Sequence, residues 1–85
     1  LEGTLRGLGF TEVSTRDIKP SDVILAYRAN TDYSHSAIYM GNGQIFNNDS
    51  ELGIMRRQSI DKFNSAEFKR FVILRRPPEV PALLR

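Results

Sequence analysis

His35 is the single histidine of this 85-residue chain, and a pair of asparagines, Asn47 and Asn48, follows it a short hairpin's length later. Histidine is the residue type that takes and returns a proton near neutral pH. An amide beside an imidazole accepts from one ring nitrogen and so fixes which nitrogen is left free to act as a base. Histidine and asparagine together are two members of a Cys-His-Asn constellation, the arrangement that activates a thiol for attack on a carbonyl carbon. The third member is missing, because the chain has no cysteine.

The elements that must position these side chains follow from the surrounding pattern. Ser36–Met40 and Gln44–Asn47 read as two strands joined at Gly41-Asn42-Gly43, a strong hairpin signal. The turn decides which asparagine meets the ring. A two-residue Asn42-Gly43 loop pairs Gly41 with Gln44 and puts Asn48 on the face of His35, whereas a three-residue Gly41-Asn42-Gly43 loop puts Asn47 there. Spacing alone leaves both open. A plain polar turn over Asn47-Asn48-Asp49-Ser50 is the competing reading of the same residues.

Further elements frame the hairpin. Leu1, Leu5 and Leu8 share one helical face, and Gly9 is a natural stop, so Leu1–Leu8 reads as the last turns of a helix. Phe10–Ser14 is a short extended or loop segment, and Asp17–Asp22, with Pro20 in it, is a turn. Val23–Arg28 is an unbroken apolar run with one terminal charge, the pattern of a strand buried on both faces. Ala29–Ser34 is a polar loop, Ile54–Arg57 a third short strand, and Phe71–Leu74 a last one. Between these two strands Ser59 caps a helical turn that carries Asp61 at its start. Pro77, Pro78 and Pro81 end regular structure. The expectation is an α+β domain over residues 1–76, an antiparallel sheet of about five strands with a helical remnant at its N-terminus, and a Pro-rich tail over residues 77–85.

Composition bounds the class of protein. With 40% hydrophobic and 26% charged residues the chain reads as one small globular domain. No apolar run approaches the roughly 20 residues of a membrane-spanning helix. A net charge of +2 gives no argument for nucleic acid. One histidine and scattered carboxylates form no credible ligand set, so no metal or other cofactor is implied.

The stretch His35-Ser-Ala-Ile-Tyr-Met-Gly-Asn-Gly-Gln-Ile-Phe-Asn47, with Asp22-Val-Ile before it and Phe71-Val-Ile-Leu-Arg75-Arg76 after it, resembles the C-terminal half of NlpC-type cell-wall cysteine peptidases, a branch of the papain-like fold. The similarity spans Ile18 to Arg76. It implies a papain-like sheet, His35 as the catalytic base and Asn47 as the orienting residue, and with Asn47 it favours the three-residue turn. That family often has histidine at the third position, and it carries glycine where this chain has Ser21. It further implies a nucleophilic cysteine at a helix N-terminus, where the dipole and the histidine lower its pKa. Leu1–Leu8 looks like the end of that helix, which places the cysteine on a segment or chain preceding Leu1. Ser34 and Ser36 are poor substitutes, because they adjoin His35 along the strand and point elsewhere.

The expected substrate is a peptide or amide bond in bacterial cell-wall peptides, with a secreted, periplasmic or virion-associated location. Two alternatives belong to other classes. Lecithin–retinol acyltransferase-like proteins share His-x-Ala-Ile-Tyr-x-Gly-x-Gly but place their cysteine after the sheet. A non-catalytic binding module for an anionic polymer would use Arg56, Arg57, Lys69, Arg70, Arg75 and Arg76.

Overall fold

The apolar run Val23–Arg28 does become the strand around which the sheet is built. A computed structural model describes residues 1–29, 31–32, 34–49 and 51–78. Residues 30 and 33 of the polar loop, Ser50, and the Pro-rich tail from residue 79 onward, Pro81 included, lie outside the described residues. The elements run α1 (Glu2–Gly7), β1 (Thr11–Val13), a 3₁₀ turn (Thr15–Asp17), β2 (Val23–Arg28), β3 (Ser34–Gly41), β4 (Gln44–Asp49), β5 (Ile54–Ser59), a second 3₁₀ turn (Ile60–Asn64) and β6 (Phe68–Arg75). The strands form one antiparallel sheet of six in the order β1-β6-β2-β3-β4-β5.

Six strands correct the expectation of about five. The extra one is β1, a three-residue edge strand whose Thr11 and Glu12 are exposed, so it carries little apolar pattern. β6 also starts earlier than the apolar run Phe71–Leu74, because Lys69 and Arg70 belong to a strand that is exposed at its beginning. The helix is only six residues long, and among the described residues no helix is long and apolar enough to cross a membrane.

β2 lies between β3 and β6, and its side chains alternate between two small cores. Ile24 and Ala26 join Ala37, Ile45, Ile73 and Phe63 on one face. Leu25 and Tyr27 join Val72 and Leu74 on the other, where Leu5 of α1 and Phe10 pack against them. Each aliphatic side chain fully buried in this way contributes about 1.5–3 kcal/mol. The helix is anchored by a polar contact as well, since the Tyr27 hydroxyl donates to Glu2 Oε1 at 2.6 Å.

The turn before β2 is tied to the end of β6. The Asp22 carboxylate, 2% exposed, accepts from Arg75 Nε and Nη2 at 3.0 and 2.8 Å and from the Lys19 backbone N–H at 2.8 Å. Burial acts to raise the pKa of Asp22, but the arginine and the backbone donor outweigh it and hold the carboxyl below its ordinary value. Ser21, where the family pattern has glycine, sits at φ +83°, and its N–H donates to the Tyr39 carbonyl at 2.8 Å.

Candidate active site

β3 carries His35 opposite Ala26, which places the imidazole on the Ile24/Ala26/Phe63 face of the sheet. Its ring packs edge-on to Phe63 at 5.7 Å between centroids and lies 6.3 Å from Phe68. Phe63 reaches this position from the second 3₁₀ turn, which Ser59 caps by accepting the Asp61 N–H at 3.1 Å, as its sequence predicts.

The hairpin places Asn47 through a combination that neither simple turn predicts. Gly41 pairs with Gln44 around a two-residue turn, and both turn residues have positive φ, Asn42 at +53° and Gly43 at +73°, as a type I′ turn requires. That turn alone would face Asn48 toward His35. One extra residue between Tyr39 and Gly41 shifts the register, so that Tyr39 pairs with Ile45 and Ala37 with Asn47. Asn47 is therefore fully buried on the face of His35, while Asn48 is exposed on the other. The polar-turn reading holds only from Asp49, whose carboxylate accepts from the Glu51 N–H at 3.1 Å and pairs with Arg56 Nε at 2.9 Å.

The Asn47 amide is hydrogen-bonded at both ends. Its Oδ1 lies 2.9 Å from His35 Nε2 and accepts from Lys62 Nζ, also at 2.9 Å. Its Nδ2 donates to Gln58 Oε1 at 2.9 Å and, at the limit of 3.5 Å, to the Arg56 carbonyl. Lys62 Nζ donates to the same Gln58 oxygen at 3.2 Å, which closes the network. No buried side-chain polar atom among the described residues lacks a partner. With Asn47 Oδ1 accepting from the ring, Nε2 carries the proton and Nδ1 keeps its lone pair.

No family model, curated protein or solved structure matches this chain. Its chemistry is therefore read from the arrangement itself. His35 borders a cleft of about 250 Å³, walled by Arg28, Glu67 and Phe68 on one side and by Arg56, Gln58 and Lys62 on the other. Arg28 and Glu67 pair across its rim at 3.1 Å. The site can hold a neutral imidazole in one tautomer and present it to an open, polar cleft.

Ser36 pairs with Leu25 and is exposed on the reverse face, away from the ring. The side chain of Ser34 lies outside the described residues. Among the described residues no group of histidine, aspartate and glutamate side chains is placed to hold a metal ion. Three of the six basic residues named above have partners of their own. Arg75 is engaged with Asp22, Arg56 with Asp49, and the Arg70 guanidinium stacks over the Tyr27 ring at 4.0 Å on the reverse face. Arg57 pairs with Phe46 and is exposed on that face too.

α1 also lies on the reverse face, through Leu5. Glu2, at its start, is bonded to Tyr27, and Tyr27 pairs with Ser34, the neighbour of His35. The sheet thus lies between the helix and the imidazole, which corrects the expectation that Leu1–Leu8 ends a helix packed on the face of His35.

Of the residues the sequence singles out, the structure brings His35 and Asn47 together, and it adds Gln58 and Lys62, one at the end of β5 and one in the turn after it, which carry no local sequence signal.

Proposed function

We propose that this chain is the base-bearing half of a papain-like cysteine peptidase or amidase of the NlpC type, acting on peptide or amide bonds of the kind found in cell-wall peptides. The observation that carries this reading is the 2.9 Å contact between His35 Nε2 and the buried Asn47 Oδ1. In this scheme the nucleophile is a cysteine thiol from outside these 85 residues, since the chain has none. His35 Nδ1 takes the thiol proton as the sulfur attacks the carbonyl carbon, and the imidazolium returns it to the leaving amine. Water then attacks the thioester with His35 again as base, releasing the acid and the thiol. Asn47 keeps the ring in the orientation both steps need, because its oxygen accepts only while Nε2 is protonated.

The test compares two preparations. The 85-residue chain alone should not hydrolyse peptidoglycan or a model amide. The gene-encoded protein, including any residues that flank these 85, should do so, and both iodoacetamide and His35→Ala should abolish the activity. Turnover by the chain alone, or activity that survives His35→Ala, would overturn the assignment. A flanking cysteine found only after Arg85 would instead favour the acyltransferase-like order of elements.

A further inference from the structure

We infer that Lys62 sets the direction of every hydrogen bond in the site, and that Lys62 and Gln58 are thereby positioning residues for His35. The inference rests on the proposed role of His35 as the base. Three of the four side chains in the network are ambivalent. An asparagine or glutamine amide presents an acceptor at one end and donors at the other, and a neutral imidazole carries its proton on either nitrogen. Rotating the Asn47 amide by half a turn would place Nδ2 against the ring, force Nε2 to accept, and move the ring proton to Nδ1. That is the tautomer in which the nitrogen needed as a base is blocked.

Lys62 is the member without this freedom, because an ammonium only donates. It fixes Asn47 twice. Directly, its Nζ at 2.9 Å requires an oxygen at that end of the amide. Indirectly, its Nζ at 3.2 Å requires Gln58 to turn Oε1 inward, and that oxygen then accepts from Asn47 Nδ2 at 2.9 Å. The one other fixed reference is the Arg56 carbonyl, which only accepts but stands 3.5 Å from Nδ2. The polarity therefore runs from Lys62 through Gln58 and Asn47 to the imidazole. The local fold supports this order, since Gln58 lies on β5 opposite Ile45, and the capped turn after Ser59 folds Lys62 back over it.

Because His35 is the single histidine, imidazole nitrogen spectra of the ¹⁵N-labelled chain report this site alone. At a pH where the ring is neutral, the wild type should show one tautomer, with the proton on Nε2. Lys62→Met should move both ring-nitrogen shifts toward a mixture of tautomers, and Lys62→Gln, which keeps a polar group without the fixed polarity, should do likewise. Lys62→Arg should restore the wild-type shifts, as should any replacement that only donates. Gln58→Leu should produce a smaller displacement, because the direct contact survives. Unchanged ring shifts in Lys62→Met and Lys62→Gln, with backbone spectra showing an intact fold, would assign the orientation to the Arg56 carbonyl and overturn the inference. The measurement needs no nucleophile, so its outcome is separable from that of the hydrolysis test.

Discussion

Asn47 reaches His35 on a diagonal: its ladder partner on β3 is Ala37, yet its Oδ1 lies 2.9 Å from the imidazole Nε2. Diagonal neighbours on one face of an antiparallel pair are separated by about 7–8 Å between backbones, a span that an amide and an imidazole together close. In a protein that also carries the nucleophile, Asn47→Ala should lower kcat by about 10- to 100-fold, the scale expected when a reacting group loses its alignment. Asn48→Ala should leave kcat unchanged, because that side chain is exposed on the reverse face. Steady-state kinetics on the two variants separate the roles, and a larger loss for Asn48→Ala would reverse the assignment.

The register that creates this diagonal depends on Gly41. Its φ is +93°, and a Cβ there would meet Pro20 Cγ at 3.3 Å. Gly41→Ala should therefore cost about 1–2 kcal/mol, from the backbone conformation first and the contact second. Urea unfolding measures the cost, and a midpoint equal to wild type would show that the bulge has found another geometry.

Ser21 offers the opposite case. It holds φ +83° without being glycine, in a turn whose N–H is already committed to the Tyr39 carbonyl. Ser21→Gly relieves the Cβ strain of a left-handed conformation, at the cost of a more flexible unfolded chain. The net gain should be about 0.5–1 kcal/mol in urea unfolding, with no change in the His35 spectrum. A loss of stability would mean that the serine hydroxyl supplies more than the strain removes.

Asp22 and Arg75 make acid stability the readout of fold closure. The Asp22 carboxyl is held below its ordinary value of 3.8, so its contribution is fully present above that range and is lost as the pH falls through the folded-state pKa. The urea midpoint should be flat from neutrality to about pH 5 and fall below it. Asp22→Asn should lower stability at pH 7 by about 2–3 kcal/mol, leaving Arg75 without its buried partner, and should reduce the acid slope. An undiminished slope in Asp22→Asn would assign acid unfolding to other carboxylates.

The sequence was most legible where one physical signal dominated. Residues 23–27 are apolar because both faces of that strand are covered, and Gly41-Asn42-Gly43 marks the β3–β4 turn, though not its length, because few other residues tolerate positive φ values. Ser59 was legible as a cap for the same reason, since its oxygen has one local donor to accept from. β1 was legible only as an extended-or-loop segment over Phe10–Ser14, because a three-residue edge strand buries almost nothing of its own. The extra residue in β3 escaped because a bulge leaves no compositional mark when its residue, Met40, is apolar like its neighbours. Gln58 and Lys62 escaped for a different reason. A glutamine and a lysine near a strand end are ordinary surface residues until the fold brings an amide beneath them.

His35, Asn47, Gln58 and Lys62 all come from one unbroken stretch, the meander of β3, β4 and β5 and the 3₁₀ turn that follows it. The scaffold is built differently, for Asp22 finds Arg75 across 53 positions of sequence. Closing a long loop costs more entropy than closing a short one, so the meander assembles its contacts at lower cost than the β2–β6 pairing that flanks it. The polar network around His35 is thus local in sequence, and its four side chains are brought together by consecutive elements rather than by the long-range closure that holds the sheet.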